Sequence, residues 1–227
     1  MRSTEAASKA RRAKGEESRL RLIEAATELI GERGYRGASV NDICGRAGVA
    51  KTALYWHFDD KEGLLAAVLD ALAGRWIEEL QKRAYQRPLP HQRLEELVDG
   101  WREILETQPQ LIRLPVFLQL EAADHSSDIQ DALRTLFERA DKAIAQGLED
   151  SLGRGTLADA GSIASAVMSL LQAVVMRVGL ARDESERDVV YAGLKRTIVQ
   201  LVWSQLPEPM RTELSEAAPQ LDPRTTR

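Results

Sequence analysis

The sequence predicts an all-α protein, and three observations support this fold class. Long stretches rich in Ala, Leu, Glu and Arg are separated by short segments that contain Gly and Pro. Aromatic residues account for only 5% of the chain, and no run of Val, Ile and Thr alternates with the period of two that a half-buried strand requires. We therefore expect helices throughout, with an N-terminal head of three helices and a larger C-terminal helical domain.

The predicted head consists of three helices. From Ser18, apolar residues recur at intervals of three and four until Gly34, which ends the first helix because glycine adopts the left-handed conformation common after a helix terminus. Ser39 is a favourable N-cap for a short second helix that Gly48 closes. A third short helix is predicted over residues 50–58.

The predicted C-terminal domain contains longer helices. Asp60 caps the helix that leads out of the head and is expected to reach residue 83. The later helices are expected at residues 91–107, 109–123, 127–152, 160–181 and 188–205. The whole pattern divides the chain into a disordered basic arm at 1–17, the head at 18–65, the helical domain at 66–206 and a flexible tail at 207–227.

The distribution of charge favours a nucleic-acid partner for the head, although the whole chain has a net charge of −4. Residues 1–66 carry 12 basic and 10 acidic side chains, and thus a net charge of +2. The remaining residues carry 19 basic and 25 acidic side chains, and thus −6. The basic surplus therefore lies at the N-terminal end. The basic arm at residues 1–17 is expected either to reach the minor groove of DNA or only to aid solubility.

Several classes of protein are disfavoured by simple features of the chain. The single cysteine, Cys44, excludes a disulfide within the chain and a multi-cysteine metal site. It is expected to be a small buried apolar residue, with a redox sensor as the alternative. The N-terminus lacks the apolar core of a secretory signal, and the longest uncharged stretch, residues 161–176, is too short to span a bilayer. We therefore expect a cytoplasmic protein with no membrane partner.

The stretch with the clearest functional signal is SVNDICGRAGVAKTALYWHFDDK, at residues 39–61. It has the pattern of two short helices joined by a tight turn at Gly48, which is the pattern of a helix-turn-helix. In this motif the second helix presents its first residues to the major groove of DNA. The free N–H groups at the start of that helix also favour a phosphate.

This stretch resembles the DNA-binding head of the TetR family of repressors. The resemblance rests on GVAKTALYWHFDDKEGLL at residues 48–65 and on AATELIGERGYRGASVNDI before it, and it covers residues 18–70. It implies that the C-terminal helices form a ligand-binding and dimerisation domain. It further implies a transcriptional repressor that binds a palindromic operator in double-stranded DNA as a dimer and is released by a small-molecule effector.

The resemblance also implies which residues contact DNA. These are Ser39, Asn41, Lys51, Thr52, Ala53, Tyr55, Trp56, His57 and Lys61. Phosphate contacts are expected from Ser39, Tyr55 and His57, and Lys61 is expected to contact the DNA backbone. Such contacts position the protein without reading the sequence.

Base recognition is expected from Asn41 and Lys51. Ala53 departs from the family pattern, since many members carry a threonine there that contacts DNA. Its methyl group offers only van der Waals contact, for example to a thymine methyl. Tyr55 and Trp56 have an alternative interpretation as core aromatics, although neighbouring helical positions cannot both face one core.

The last two helices are expected to form the dimer interface, because they are apolar on more than one face. Their apolar residues are Ile163, Val167, Leu170, Leu171, Val174, Val175 and Val178 in one helix and Val190, Leu194, Ile198, Leu201 and Val202 in the other. Paired across a two-fold axis, they would build a four-helix seam.

An effector pocket is expected between the helices of residues 91–181. The candidate lining residues are Trp101, Leu105, Phe117, Leu118, Glu121, Phe137, Met168, Gln172 and Met176. They combine apolar surface with a few polar groups, as small-molecule sites do. The alternative is that they simply pack the core.

No arrangement of residues indicates an enzyme, a cofactor or a metal site. The sequence lacks a Ser/His/Asp or Cys/His constellation and a glycine-rich phosphate loop. Glu121, Asp124 and His125 are expected to be solvated charges at a helix end rather than metal ligands. The remaining alternatives are an enzyme with a similar head, a scaffold without DNA affinity, an activator and a ligand-independent regulator.

Overall fold

A computed structural model of the chain describes residues 2–85, 90–121, 126–217 and 219, and these residues form ten α-helices and no β-strand. The predicted all-α fold class is therefore confirmed. The helices are α1 (Arg2–Gly37), α2 (Val40–Ala47), α3 (Lys51–Phe58), α4 (Lys61–Tyr85), α5 (Pro90–Thr107), α6 (Gln110–Leu120), α7 (Ser127–Leu152), α8 (Ala160–Leu180), α9 (Glu184–Gln205) and α10 (Glu208–Ala217).

Helix α1 starts much earlier than the sequence pattern predicts. The arm that was expected to be disordered has helical backbone from Arg2 onward. Its residues are mostly alanine, lysine, arginine and glutamate, which favour helices, and a helix that is already nucleated by a packed segment extends at little cost. At Gly34, the predicted end of the first helix, the backbone leaves helical geometry with φ 72° and ψ 167°, and a further helical turn continues to Gly37.

The C-terminal tail also differs from the prediction. Part of the segment that was expected to be flexible forms α10, and Pro209 lies in its first turn, where the missing N–H of proline does no harm. Residues 218 and 220–227 lie outside the described part of the chain, as do residues 86–89 between α4 and α5 and the charges of Asp124 and His125.

The described chain forms two compact units, of which the first comprises residues 1–73 and 113–136. In this unit α1, α2 and α3 pack against one another around Leu22, Ile43 and Leu54, which are fully buried. Arg46 of α2 also forms an ion pair of 2.7 Å with Glu32 of α1, which joins these two helices. The three helices thus acquire a common core, which none of them has alone.

The second unit comprises residues 74–112 and 137–227. Helix α8 packs along α9, and α5 is joined to α9 by two ion pairs. Arg102 lies 2.7 Å from Asp188, and Lys195 lies 2.9 Å from Asp99. This division is not contiguous in sequence, so the predicted domain boundary between residues 65 and 66 remains a prediction.

Helix α8 is long and apolar enough to cross a membrane, by length and composition alone. This differs from the expectation that its uncharged stretch, residues 161–176, is too short to span a bilayer. The same composition is found in core helices of soluble proteins, and α8 has this character because Ile163, Val167 and Leu171 are buried in the second unit. These three apolar residues therefore have partners within the chain.

Candidate nucleic-acid interface

The turn between α2 and α3 has the geometry that the sequence predicts. Ser39 caps α2 by accepting a hydrogen bond of 3.1 Å from the backbone N–H of Asp42. Gly48 adopts the left-handed conformation, with φ 61° and ψ 37°, and its N–H is donated back to the carbonyls of Cys44 and Gly45. The helix-turn-helix is therefore present as two eight-residue helices joined by a glycine turn.

Helix α3 has one side that packs against the head and one side that is exposed to solvent. Leu54 and Phe58 are buried against the head, whereas four residues at relative positions i, i+1, i+4 and i+5 are exposed. These four, which we call the reading face, are Lys51, Thr52, Tyr55 and Trp56. They lie on one side of the helix, as the 3.6-residue period requires.

Trp56 is the most informative member of the reading face, because 76% of it is exposed. Tyr55 is also exposed. The alternative that these aromatics belong to the core is therefore wrong for both residues. Large aromatic side chains left in solvent on one helix face are typical of a surface that binds a partner.

The other predicted DNA contacts differ in their exposure and in their hydrogen bonds. Asn41 is exposed on α2, and Ala53 is half-buried on α3. The hydroxyl of Ser39 donates to the carboxylate of Asp42 at 2.6 Å in addition to capping α2. A phosphate contact by Ser39 would therefore have to replace that hydrogen bond.

His57 is half-buried near the end of α3 and forms a hydrogen bond with a residue of α1. Its Nε2 lies 2.8 Å from Oγ of Ser18. Burial lowers the pKa of His57, and the positive charge of Arg19 lowers it further, while Glu16 acts in the opposite direction. The ring is therefore largely neutral near pH 7, since even an unperturbed histidine has a pKa of about 6.5.

Lys61 has intramolecular contacts that the sequence did not indicate. Its Nζ donates a hydrogen bond of 2.5 Å to the carbonyl of Tyr35 and lies 4.1 Å from the centre of the Tyr35 ring. Burial, followed by the charges of Glu62 and Asp60, raises the pKa of Tyr35 to about 12. The lysine thus joins the start of α4 to the turn that ends α1.

The link between α3 and α4 is a tight turn that sequence reasoning missed. Asp59 has φ 62° and ψ −48°, and the N–H of Asp60 is donated to the carbonyl of Phe58 at 2.7 Å, which is the geometry of a γ-turn. A Cβ atom on Gly63 would lie 2.1 Å from that same carbonyl oxygen. The glycine in this position was the available signal, because only glycine permits so close an approach.

The predicted effector residues do not share one environment. Trp101, Leu105 and Leu118 are buried, Phe137, Met168 and Gln172 are half-buried, and Phe117, Glu121 and Met176 are exposed. Residues 117, 118 and 121 belong to the first unit and the other six to the second. An effector pocket built from all nine stays a prediction.

Most apolar residues predicted for the dimer seam are already buried within the chain. The buried ones are Ile163, Val167, Leu171, Val174, Val175, Val178, Leu194, Ile198 and Val202. Because α8 packs on α9 within the second unit, these side chains leave little surface for a partner. The large apolar residues that these two helices leave exposed are instead Met176, Leu180 and Val189.

Cys44 is buried on α2, and burial raises the pKa of its thiol. This environment is that of a small apolar core residue rather than of a reactive thiolate. Among the residues that the structure describes, no group of three or more His, Cys, Asp or Glu side chains is arranged to hold a metal ion.

Comparison with known proteins also indicates a helix-turn-helix regulator. Residues 22–68 match the family model described as bacterial regulatory proteins, tetR family. The regulator TtgR of Pseudomonas putida is 29% identical over 74% of this chain and 83% of its own. An HTH-type transcriptional regulator of Lactococcus lactis is 30% identical over 59% of this chain and 69% of its own. A TetR transcriptional regulator from Legionella pneumophila has the same fold, with a TM-score of 0.64 at 20% identity over 78% of this chain and 95% of that one.

A helix-turn-helix head with an exposed reading face, attached to further helices, defines a DNA-binding transcriptional regulator. The chain belongs to the TetR family of such regulators.

Proposed function

We propose that this regulator is a repressor that binds a palindromic operator as a homodimer and is released by a small-molecule effector. In this proposal residues 18–65 read the DNA, and residues 66–206 bind the effector and pair the protomers. The protein acts in the cytoplasm, away from any membrane, and is not an enzyme.

The observation that carries the DNA-binding site is the reading face of α3. Lys51 and Thr52 lie at the start of α3, where the described part of the chain provides no side-chain cap for the helix N–H groups. These N–H groups favour a phosphate, and the lysine supplies a donor for guanine. Tyr55 and Trp56 continue the same exposed surface by one further turn.

The DNA-binding residues are tested with an operator obtained by selecting bound sequences from random double-stranded DNA. Lys51→Ala or Asn41→Ala should weaken operator binding by on the order of 1–3 kcal/mol and relax base preference at one position of each half-site. Lys142→Ala removes an exposed lysine from α7 and is the matched control. If Lys51→Ala and Lys142→Ala bind equally well, the reading face is assigned wrongly.

The proposed dimer is supported by the apolar residues that α8 and α9 leave exposed. Leu180 is 81% exposed and Val189 is 68% exposed, and Met176 lies one turn before Leu180 on α8. A second copy of the chain is the occupant that matches this surface, because a palindromic operator requires a two-fold protein. The expected interface therefore remains on the last two long helices, but at different residues from the buried seam.

Effector release is tested separately from DNA binding. A ligand can release the protein from DNA only if it binds one conformation better than the other. Compounds that raise the thermal stability of the protein should therefore lower operator affinity. If no stabilising compound changes operator affinity, the effector proposal fails while DNA binding stands.

A further inference from the structure

We propose that Ser18 is a positioning residue for DNA binding. It holds the ring of His57 in the tautomer that can donate to a phosphate only after it gains a proton, so that operator affinity rises as the pH falls. This inference rests on the proposed function, because it takes His57 to contact a phosphate.

The hydrogen of the Ser18 hydroxyl is already committed within α1. Its Oγ lies 2.7 Å from the backbone carbonyl oxygen of Gly15. A carbonyl oxygen can only accept, so the hydroxyl must be the donor. A serine hydroxyl has a single hydrogen, and no second one remains for another acceptor.

The bond between Ser18 and His57 is therefore donated by the imidazole. The Oγ and Nε2 atoms are 2.8 Å apart, and with the hydroxyl hydrogen directed to Gly15 the hydrogen between them must belong to Nε2. In the neutral ring, a proton on Nε2 leaves Nδ1 with a lone pair. Ser18 thus selects one of the two neutral tautomers from a position 39 residues away.

This choice of tautomer decides how the ring meets DNA. Phosphate oxygens accept hydrogen bonds and carry negative charge, so the lone pair of a neutral Nδ1 repels them. Protonation of Nδ1 converts the ring into a cation that donates a charge-assisted hydrogen bond. A phosphate contact by His57 consequently takes up a proton.

The surroundings of His57 keep this proton off the unbound protein. The charged groups facing the ring from α1 are Arg19 and Glu16, and on its own helix the neighbours are the rings of Trp56 and Phe58. Burial and Arg19 together lower the pKa of His57. A bound phosphate adds negative charge and raises it. Affinity should then increase by up to about tenfold for each pH unit lowered between these two pKa values, for every His57 that gains a proton.

The experiment measures operator affinity by fluorescence anisotropy at constant salt, from about pH 8 to about pH 6. The wild type is compared with His57→Gln, which cannot titrate, and with Ser18→Ala and Ser18→Thr. We expect a steeper pH dependence for the wild type and Ser18→Thr than for His57→Gln. Ser18→Ala should be shallower than the wild type, because its neutral ring can place a hydrogen on Nδ1 without proton uptake.

A nitrogen-edited NMR spectrum of the histidine side chains tests the tautomer without DNA. The chain has three histidines, and the His57 signals are those lost in His57→Gln. We expect protonated Nε2 and unprotonated Nδ1 at pH 7 in the wild type and in Ser18→Thr, and a mixture in Ser18→Ala. Predominant Nδ1–H in the wild type overturns the inference, and so does a pH dependence equal to that of His57→Gln. Absence of DNA binding at every pH instead refutes the proposed function.

Discussion

The ammonium group of Lys61 and the backbone carbonyl of Tyr35 are joined by a hydrogen bond of 2.5 Å, and the same ammonium lies over the tyrosine ring. The sequence pattern indicated only a DNA backbone contact for this lysine. The two roles are compatible, because an ammonium has three hydrogens and two remain after the carbonyl is bound, so one can be donated to a phosphate. A Lys61 that also contacts a phosphate would couple the stability of the head to its affinity for DNA.

Replacing Lys61 by alanine should therefore change two measurements. The free energy of unfolding should fall by about 1 kcal/mol, since a charge-assisted hydrogen bond and a cation–π contact are lost at a half-exposed site. The slope of operator affinity against salt should decrease by about one ion for each protomer bound, equally for all DNA sequences. Denaturant unfolding and salt-dependent anisotropy measure these quantities, with Lys142→Ala as the control. An unchanged salt slope would leave Lys61 with a structural role alone.

The close approach of Gly63 to Phe58 predicts a sensitivity to one methyl group. Gly63→Ala should destabilise the head by about 1–3 kcal/mol, because its Cβ would lie 2.1 Å from a carbonyl oxygen that the γ-turn holds in place. Gly74→Ala, in the same helix, meets nothing closer than 4.0 Å and should stabilise by about 0.5–1 kcal/mol. Equal effects of the two substitutions in thermal unfolding would show that the turn relaxes freely.

Asp59 should be more stable as glycine. Its positive φ of 62° strains any residue with a Cβ, so Asp59→Gly is expected to raise the unfolding free energy by about 1 kcal/mol. Asp59→Pro should have the opposite effect, since proline cannot reach this φ and would lose the N–H that is donated to Tyr55. Destabilisation by both substitutions would mean that the carboxylate, rather than the backbone, governs this position.

The elements of the head were predictable from sequence because they depend on local periodicity. The apolar spacing that marks Leu54 and Phe58 as buried also leaves the reading face exposed. The turn at Gly48 follows from the same kind of local evidence, since few residues other than glycine adopt its conformation.

Contacts between distant residues were not predictable. The pair of Ser18 and His57 spans 39 residues and that of Tyr35 and Lys61 spans 26, and no short-range pattern links either pair. In α8, apolar residues around the whole helix predict burial on several sides but do not say which side meets the chain itself. For this reason, the predicted dimer seam was assigned to residues that are mostly buried within the chain itself.

The buried thiol of Cys44 should be unreactive in the folded protein. Burial raises its pKa, so little thiolate is present at neutral pH, and the residue is covered by the head. Alkylation should proceed only as fast as unfolding, and Cys44→Ser should cost about 1–3 kcal/mol because it buries a hydroxyl in an apolar site. Rapid modification of the native protein by iodoacetamide would support the redox-sensor alternative instead.

The exposed leucine at the end of α8 provides a test of the proposed dimer. In an isolated chain Leu180→Lys should be harmless, because the side chain is 81% exposed. At a two-fold interface it would bury two like charges, one from each protomer, and should weaken dimerisation at least about tenfold. Leu20→Lys, on an exposed residue of α1, is the matched control. Sedimentation equilibrium should then give a dimer for the wild type and for Leu20→Lys, and dissociation for Leu180→Lys. A dimer of unchanged affinity in Leu180→Lys would exclude this end of α8 from the interface, and the partner would have to meet another surface of the second unit.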